Sequence, residues 1–107
     1  MAYRVEFRPR AEQDLETLFR QLVQAAPLRG PEWVEGMQQA IASLGKRPDR
    51  CPAVRQPSKT TVTVRKLLYG TYPHIYKIYF MIDAEAVVIL HIRHGARREP
   101  KPGTLFK

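Results

Sequence analysis

Two runs near the C-terminal end, HIYKIYFMID over residues 74–83 and AVVILHIR over residues 86–93, are rich in β-branched and aromatic side chains and are separated only by a tight Asp83-Ala84-Glu85 turn. Strand propensity on both sides of so short a connection predicts an antiparallel hairpin. A lone hairpin is not stable in water, so the rest of the chain has to cover one of its faces.

Upstream the period changes. Ala11, Leu15, Leu18, Phe19, Leu22 and Ala26 recur at three- and four-residue steps, which places them on one stripe of a helix. Pro9 suits its first position, where a missing N–H costs nothing, and Glu12 and Asp14 favour its positive N-terminal end. Pro27 stops it. Gly30 and Pro31 open a second helix, which Val34, Met37, Ile41 and Leu44 continue until Gly45 and Pro48 end it. A connection of about five residues predicts an antiparallel helical hairpin. Before the helices, YRVEF alternates Tyr3, Val5 and Phe7 with Arg4, Glu6 and Arg8, the period of a half-buried strand. After them, residues 46–60 hold three prolines and five basic residues with no period and read as a loop, and TVTVRKLL reads as a strand. The order β-α-α-β-β-β, in a single domain over residues 1–107, predicts an α+β fold: a helical hairpin on one face of a mainly antiparallel four-stranded sheet.

Charge gives this sheet a direction. The chain carries 18 Lys and Arg against 10 Asp and Glu, a net +8. Residues 1–50 contribute only +1 and residues 51–107 contribute +7. A balanced half beside a basic half predicts an oriented cationic surface, suited to nucleic acid, a ribosome-like surface or an acidic protein. Cys51 stands alone, so no internal disulfide forms, and the thiol reads as structural. MAYRVEF has no apolar leader, and no apolar run approaches the ~20 residues of a membrane helix, so the expected location is the cytoplasm, with no membrane partner.

Alternation assigns the faces of the strands. On the third, Tyr76, Ile78, Phe80 and Ile82 are expected to meet the helices, with Lys77, Tyr79 and Met81 opposite. On the fourth, Val88, Leu90 and Ile92 are expected inward and Val87, Ile89, His91 and Arg93 outward. On the second, Val62 and Val64 are expected inward and Thr61, Thr63 and Arg65 outward. The uncovered face then collects Arg65, Lys77, Tyr79, His91 and Arg93, and RHGARR leaves from its end with His94, Arg97 and Arg98 around Gly95. Singly, most of these have ordinary explanations: Arg65 and Lys77 as solubilising charges, Tyr79 as a cross-strand packing residue, His91 as structural, His74 as incidental in its turn. The cluster of Arg93, His94, Arg97 and Arg98 has none, and its glycine permits close approach. Binding alone needs only Lys and Arg to neutralise phosphates or pair with carboxylates. RNA cleavage needs in addition an acid and a base, which a histidine supplies near neutral pH, with arginines stabilising the phosphorane. No spacing of Asp, Glu, His or Cys resembles a metal site, and neither a Gly-rich phosphate loop nor a Ser or Cys nucleophile motif is present, so no cofactor is expected.

In YRVEFRPRAEQDLETLF, the helical hairpin, VRKLL, and YKIYFMIDAEAVVILHIRHGARRE, the chain resembles the RelE/ParE superfamily of toxins from bacterial type II toxin–antitoxin modules. The likeness covers nearly the whole chain and is most specific in the last stretch. It implies a small basic toxin held inactive, in an oligomer, by a cognate antitoxin that masks the functional surface. RelE-like members cut mRNA in the ribosomal A site, whereas ParE-like members poison DNA gyrase. Carried over by position, Lys77 stands where RelE-like nucleases often keep an arginine, Arg97 matches the arginine after the last strand's glycine, and Arg65 or Lys66 lies near the second strand's basic position. A RelE-like reading makes His94, Arg97 and Lys77 the catalytic set of a metal-independent endoribonuclease. The target-binding set is Arg65, Lys66, Lys77, Tyr79, Arg93, His94, Arg97 and Arg98. Phe80 replaces a common tyrosine, no tyrosine or histidine follows Arg97, and Phe106 cannot transfer protons. The hairpin and the RHGAR ending resemble ParE-like members more, so gyrase is the expected target, ribosome and mRNA the alternative, and a non-toxic nucleic-acid-binding domain the third reading.

Overall fold

A computed structural model of the chain describes residues 2–55, 62–71 and 74–95. Helix α1 (Pro9–Ala25) starts with Pro9 in its first turn, behind an extended Arg8, and carries Glu12 at its positive end. It closes when the Ala26 N–H donates to the Leu22 carbonyl at 2.7 Å, just before Pro27. Helix α2 (Gly30–Ala42) follows and tightens into a 3₁₀ turn at Ser43–Gly45, which carries Leu44 into the core. Ala11 and Leu18 from α1 and Met37 and Ile41 from α2 bury together, as the helical stripes require. Phe19 does not join them and stays 43% exposed.

Four strands complete the predicted order: β1 (Arg4–Phe7), β2 (Val64–Tyr69), β3 (Tyr76–Asp83) and β4 (Ala86–His94). They lie side by side as β1-β4-β3-β2. The β2–β3 and β3–β4 pairs are antiparallel, while β1 runs parallel to β4 with Arg4 opposite Ala86. The sheet is therefore mixed, and β1 can be parallel because both helices, β2 and β3 intervene before β4.

The expected faces hold on one of the three strands and fail in part or outright on the other two. On β3 the expectation stands: Ile78 and Phe80 are fully buried in the helix-side core, with Tyr76 and Ile82 packed against it. On β4 it fails over the first half. Val87 and Ile89 face the helices, and Val88 and Leu90 join a second apolar cluster with Val64, Tyr79 and Ala86 on the other side. The register explains the reversal: Tyr79 pairs with His91 but Phe80 with Ile89, so Leu90 is an extra residue in a β-bulge. Beyond the bulge the expected parity returns, and Ile92 sits in the helix-side core. On β2 the parity is inverted outright. Val64 lies opposite Met81 in the second cluster, which turns Arg65, Leu67 and Tyr69 toward the helices. Of the other residues assigned with β2, Thr61 lies outside the described residues, while Val62 and Thr63 are exposed. The far face is thus not uncovered at its centre. Val64, Tyr79 and Leu90 are buried there, and Val54 packs onto them.

An aromatic ladder ties α2 to one end of the sheet. Trp33 meets Tyr69 and Tyr76 edge-on, with centroids 4.9 and 5.0 Å away. The Tyr69 hydroxyl donates to the Trp33 carbonyl at 3.1 Å. Gly36 makes room for it: a Cβ there would stand 2.2 Å from the Tyr69 oxygen.

Candidate target-binding surface

Cross-strand partners share a face, so the register places the basic residues. Lys77 is directly opposite Arg93, and on its other side is Leu68. One row along, Lys66, Tyr79 and His91 are opposite one another. Lys66, Lys77 and Arg93 therefore share the far face, each half-buried, around the apolar centre of Val64, Tyr79 and Leu90. Like charges directly across a ladder repel.

Two members of the expected set sit elsewhere. Tyr79 is completely buried, its ring stacked near that of His91 with centroids 6.4 Å apart, so it is a floor beneath the cations and not an exposed contact. Arg65 points to the helix side. Its guanidinium donates to the Cys51 carbonyl at 2.7 Å and the Asp49 carbonyl at 3.3 Å. It fastens residues 51–55 along β2, where the Val54 N–H donates to the Val64 carbonyl at 2.7 Å and the Lys66 N–H to the Pro52 carbonyl at 3.1 Å. Cys51 is buried in this seam, and burial pushes its thiol up from the ordinary value, as for an inert cysteine.

His94 lies across from Tyr76, and their rings meet edge-on at 5.0 Å, which puts His94 on the helix side at the end of the aromatic ladder. Gly95 turns the chain there: its N–H donates to the Ile75 carbonyl, and a Cβ would approach that oxygen to 2.7 Å. Arg97 and Arg98 lie outside the described residues.

The sequence reading missed Asp14. Its carboxylate accepts the Ile92 N–H at 3.1 Å, contacts His91 Nδ1 and lies 3.4 Å from the Arg10 Nε. Burial alone would raise this carboxyl, but His91, the Ile92 amide and Arg10 together outweigh it and hold it below its ordinary value. Asp14 thereby joins α1 to β4 beyond the point where β1 ends at Phe7 opposite Ile89. In the sequence Asp14 was only an acid favouring the positive end of the helix; nothing linked it to a histidine 77 positions away. His91 is correspondingly buried, 5% exposed, and is not part of an open face. Among the described residues no cluster of His, Cys, Asp and Glu could hold a metal ion, and no helix is long and apolar enough to cross a membrane.

The family model described as the ParE toxin of the type II toxin–antitoxin system parDE matches residues 5–99. The chain belongs to the ParE toxin family. It is a toxin of the type II class, within the broader RelE/ParE superfamily. The toxin resembles a chain from a chromosomal ParDE system of Pseudomonas aeruginosa with a TM-score of 0.67 at 18% identity, covering 87% of this chain and 96% of that one. A mutant of the Escherichia coli toxin RelE in the free state gives 0.58 at 14% identity, covering 88% and 84%. The RelBE2 toxin–antitoxin complex of Mycobacterium tuberculosis gives 0.55 at 23%, covering 88% and 99%. At these identities the likeness is one of fold. No curated protein matches the toxin in sequence.

Proposed function

We propose that this toxin arrests growth by poisoning DNA gyrase, that a cognate antitoxin neutralises it, and that Lys66, Lys77 and Arg93, continued by Arg97 and Arg98, form its target-binding surface. The observation that carries the choice of target is the placement of His94. An RNA-cleaving site needs its proton-transfer group beside the cations that stabilise the phosphorane. His94 packs on the helix side against Tyr76, whereas Lys77, its partner in the RelE-like set, is on the opposite face of the sheet; Arg93 shares that face with Lys77 and also reaches the cleft beside His94. The other described histidine on β4, His91, is buried against Asp14. A gyrase poison requires no proton transfer, only a shaped basic surface, and the ParE family membership points the same way. The antitoxin partner is suggested by the fold neighbours from the ParDE system and the RelBE2 complex.

The test runs two assays on one preparation, with His94→Ala alongside. Inhibition of gyrase supercoiling or trapping of cleaved DNA, with no cutting of mRNA on translating ribosomes, is the expected result. Ribosome-dependent cuts that disappear in His94→Ala, with gyrase untouched, would instead establish a RelE-like endoribonuclease.

A further inference from the structure

The bulge at Leu90 decides which residue of β4 stands across from Lys77. Leu90 and His91 together oppose Tyr79, and beyond them Ile92 pairs with Ile78 and Arg93 with Lys77. With Leu90 alone opposite Tyr79, every later residue would move along by one position. Ile92 would then stand opposite Lys77, and Arg93 opposite Tyr76 on the helix side. His94 would fall on the far face. The extra residue therefore puts Arg93 among the far-face cations and takes His94 out of them.

Arg93 does not hold itself there. Its side chain makes no ion pair or hydrogen bond among the described residues, so its place is set by the backbone that precedes it. That backbone lacks a neighbouring strand at one edge, because β1 pairs with β4 only as far as Ile89. Asp14 supplies the missing partner. Its carboxylate accepts the Ile92 N–H at 3.1 Å and contacts His91 Nδ1, gripping the two residues between the bulge and Arg93. Burial of Ile92 on one face and Leu90 on the other holds the strand between its two layers, and Asp14 holds its open edge.

We propose that the Leu90 bulge is the device that brings Arg93 onto the target-binding surface, and that Asp14 is the positioning residue that keeps it there, a role that rests on the target-binding reading above. Asp14 touches no target. It acts through Ile92 and His91, and a cation presented already fixed costs less ordering on binding than a loose one.

The experiment compares wild type, Asp14→Ala, Asp14→Asn and Leu18→Ala for growth arrest and for inhibition of gyrase supercoiling, both per folded molecule. Amide exchange along β4 and the cross-strand NMR contact between Ile78 and Ile92 are followed in parallel. Leu18→Ala weakens the packing of the same helix without touching the edge of β4, and so controls for stability alone. Asp14→Ala should exchange faster over residues 92–94 and be about tenfold less potent, while Leu18→Ala stays as potent as wild type. Asp14→Asn keeps an acceptor for the Ile92 N–H and should fall between. The variant Arg93→His/His94→Arg leaves bulge and clamp in place but moves the guanidinium to the helix side, and it should lose at least as much potency as Asp14→Ala. Full potency in Asp14→Ala, or equal losses in Asp14→Ala and Leu18→Ala, overturns the positioning role. Full potency in Arg93→His/His94→Arg overturns the role of the bulge. A wild type that arrests growth but spares gyrase refutes the choice of target alone, and the same comparison is then decided by growth arrest. A folded wild type that does neither refutes the target-binding reading and the positioning role together.

Discussion

The two faces of the sheet have similar middles and opposite margins. On the helix side, Ile78, Phe80 and Ile89 are covered by Ala11, Leu18, Met37 and Ile41, and the margin is aromatic: Trp33, Tyr69 and Tyr76. On the far side Val64, Tyr79 and Leu90 are equally buried, but the margin is cationic, with Lys66, Lys77 and Arg93. The difference separates what holds the fold from what is available to a partner. Helix-side margins consist of groups that satisfy each other, such as the Tyr69 hydroxyl on the Trp33 carbonyl. The far-side margin sets Lys77 directly across from Arg93, where like charges repel, and this is the margin proposed above to meet the target.

The comparison breaks most readily at the buried helix stripe. Leu18→Ala should lower stability by roughly 2–5 kcal/mol, measured by urea unfolding, because it leaves a cavity between α1 and β4. A loss under ~1 kcal/mol would mean that the helices are not the main cover of this face.

Asp14→Asn comes next, at about 1–3 kcal/mol, because an amide cannot serve the Ile92 N–H and His91 as a carboxylate does. The same group sets an acid dependence. Its folded pKa is below the ordinary 3.8, so its contribution is complete above that value and is lost as pH falls through the lower folded pKa. Unfolding midpoints followed from pH 5 to about pH 2 should fall for the wild type and fall less for Asp14→Asn. Parallel curves would remove Asp14 from the account of acid stability.

A smaller effect sharpens the aromatic margin. Tyr69→Phe should cost about 0.5–1.5 kcal/mol for its lost hydrogen bond. Gly36→Ala should be destabilising beside Tyr69 but much less so in Tyr69→Phe, where the oxygen 2.2 Å from the new methyl is gone. Additive effects in that double variant would show that the two groups do not meet.

The sequence made the elements legible and the faces only partly so. Helix ends at Pro9 and Pro27, and the tight turn between β3 and β4, follow from local chemistry and were predictable residue by residue. The faces of β4 were not. AVVIL is apolar on both sides, so alternation carries no information there, and the bulge at Leu90 then shifts the parity. Arg65 looked like a surface charge because its acceptors are backbone carbonyls, which no side-chain pattern announces. Of the expected site residues, Lys66, Lys77, Arg93 and His94 were recognised by type, but sequence alone did not divide His94 from Lys77 across the sheet.

The smallest expected change in stability accompanies the largest change in function, and it tests the division between the two faces most directly. Growth after induction should be compared for wild type and Lys77→Gln/Arg93→Gln at matched soluble levels, with thermal midpoints of both proteins. Wild type should arrest growth, while the double variant should grow freely with a midpoint unchanged or slightly raised, since a like-charge pair has been removed from the far face. Undiminished arrest by a folded double variant would contradict the assignment of the far-side margin to the target.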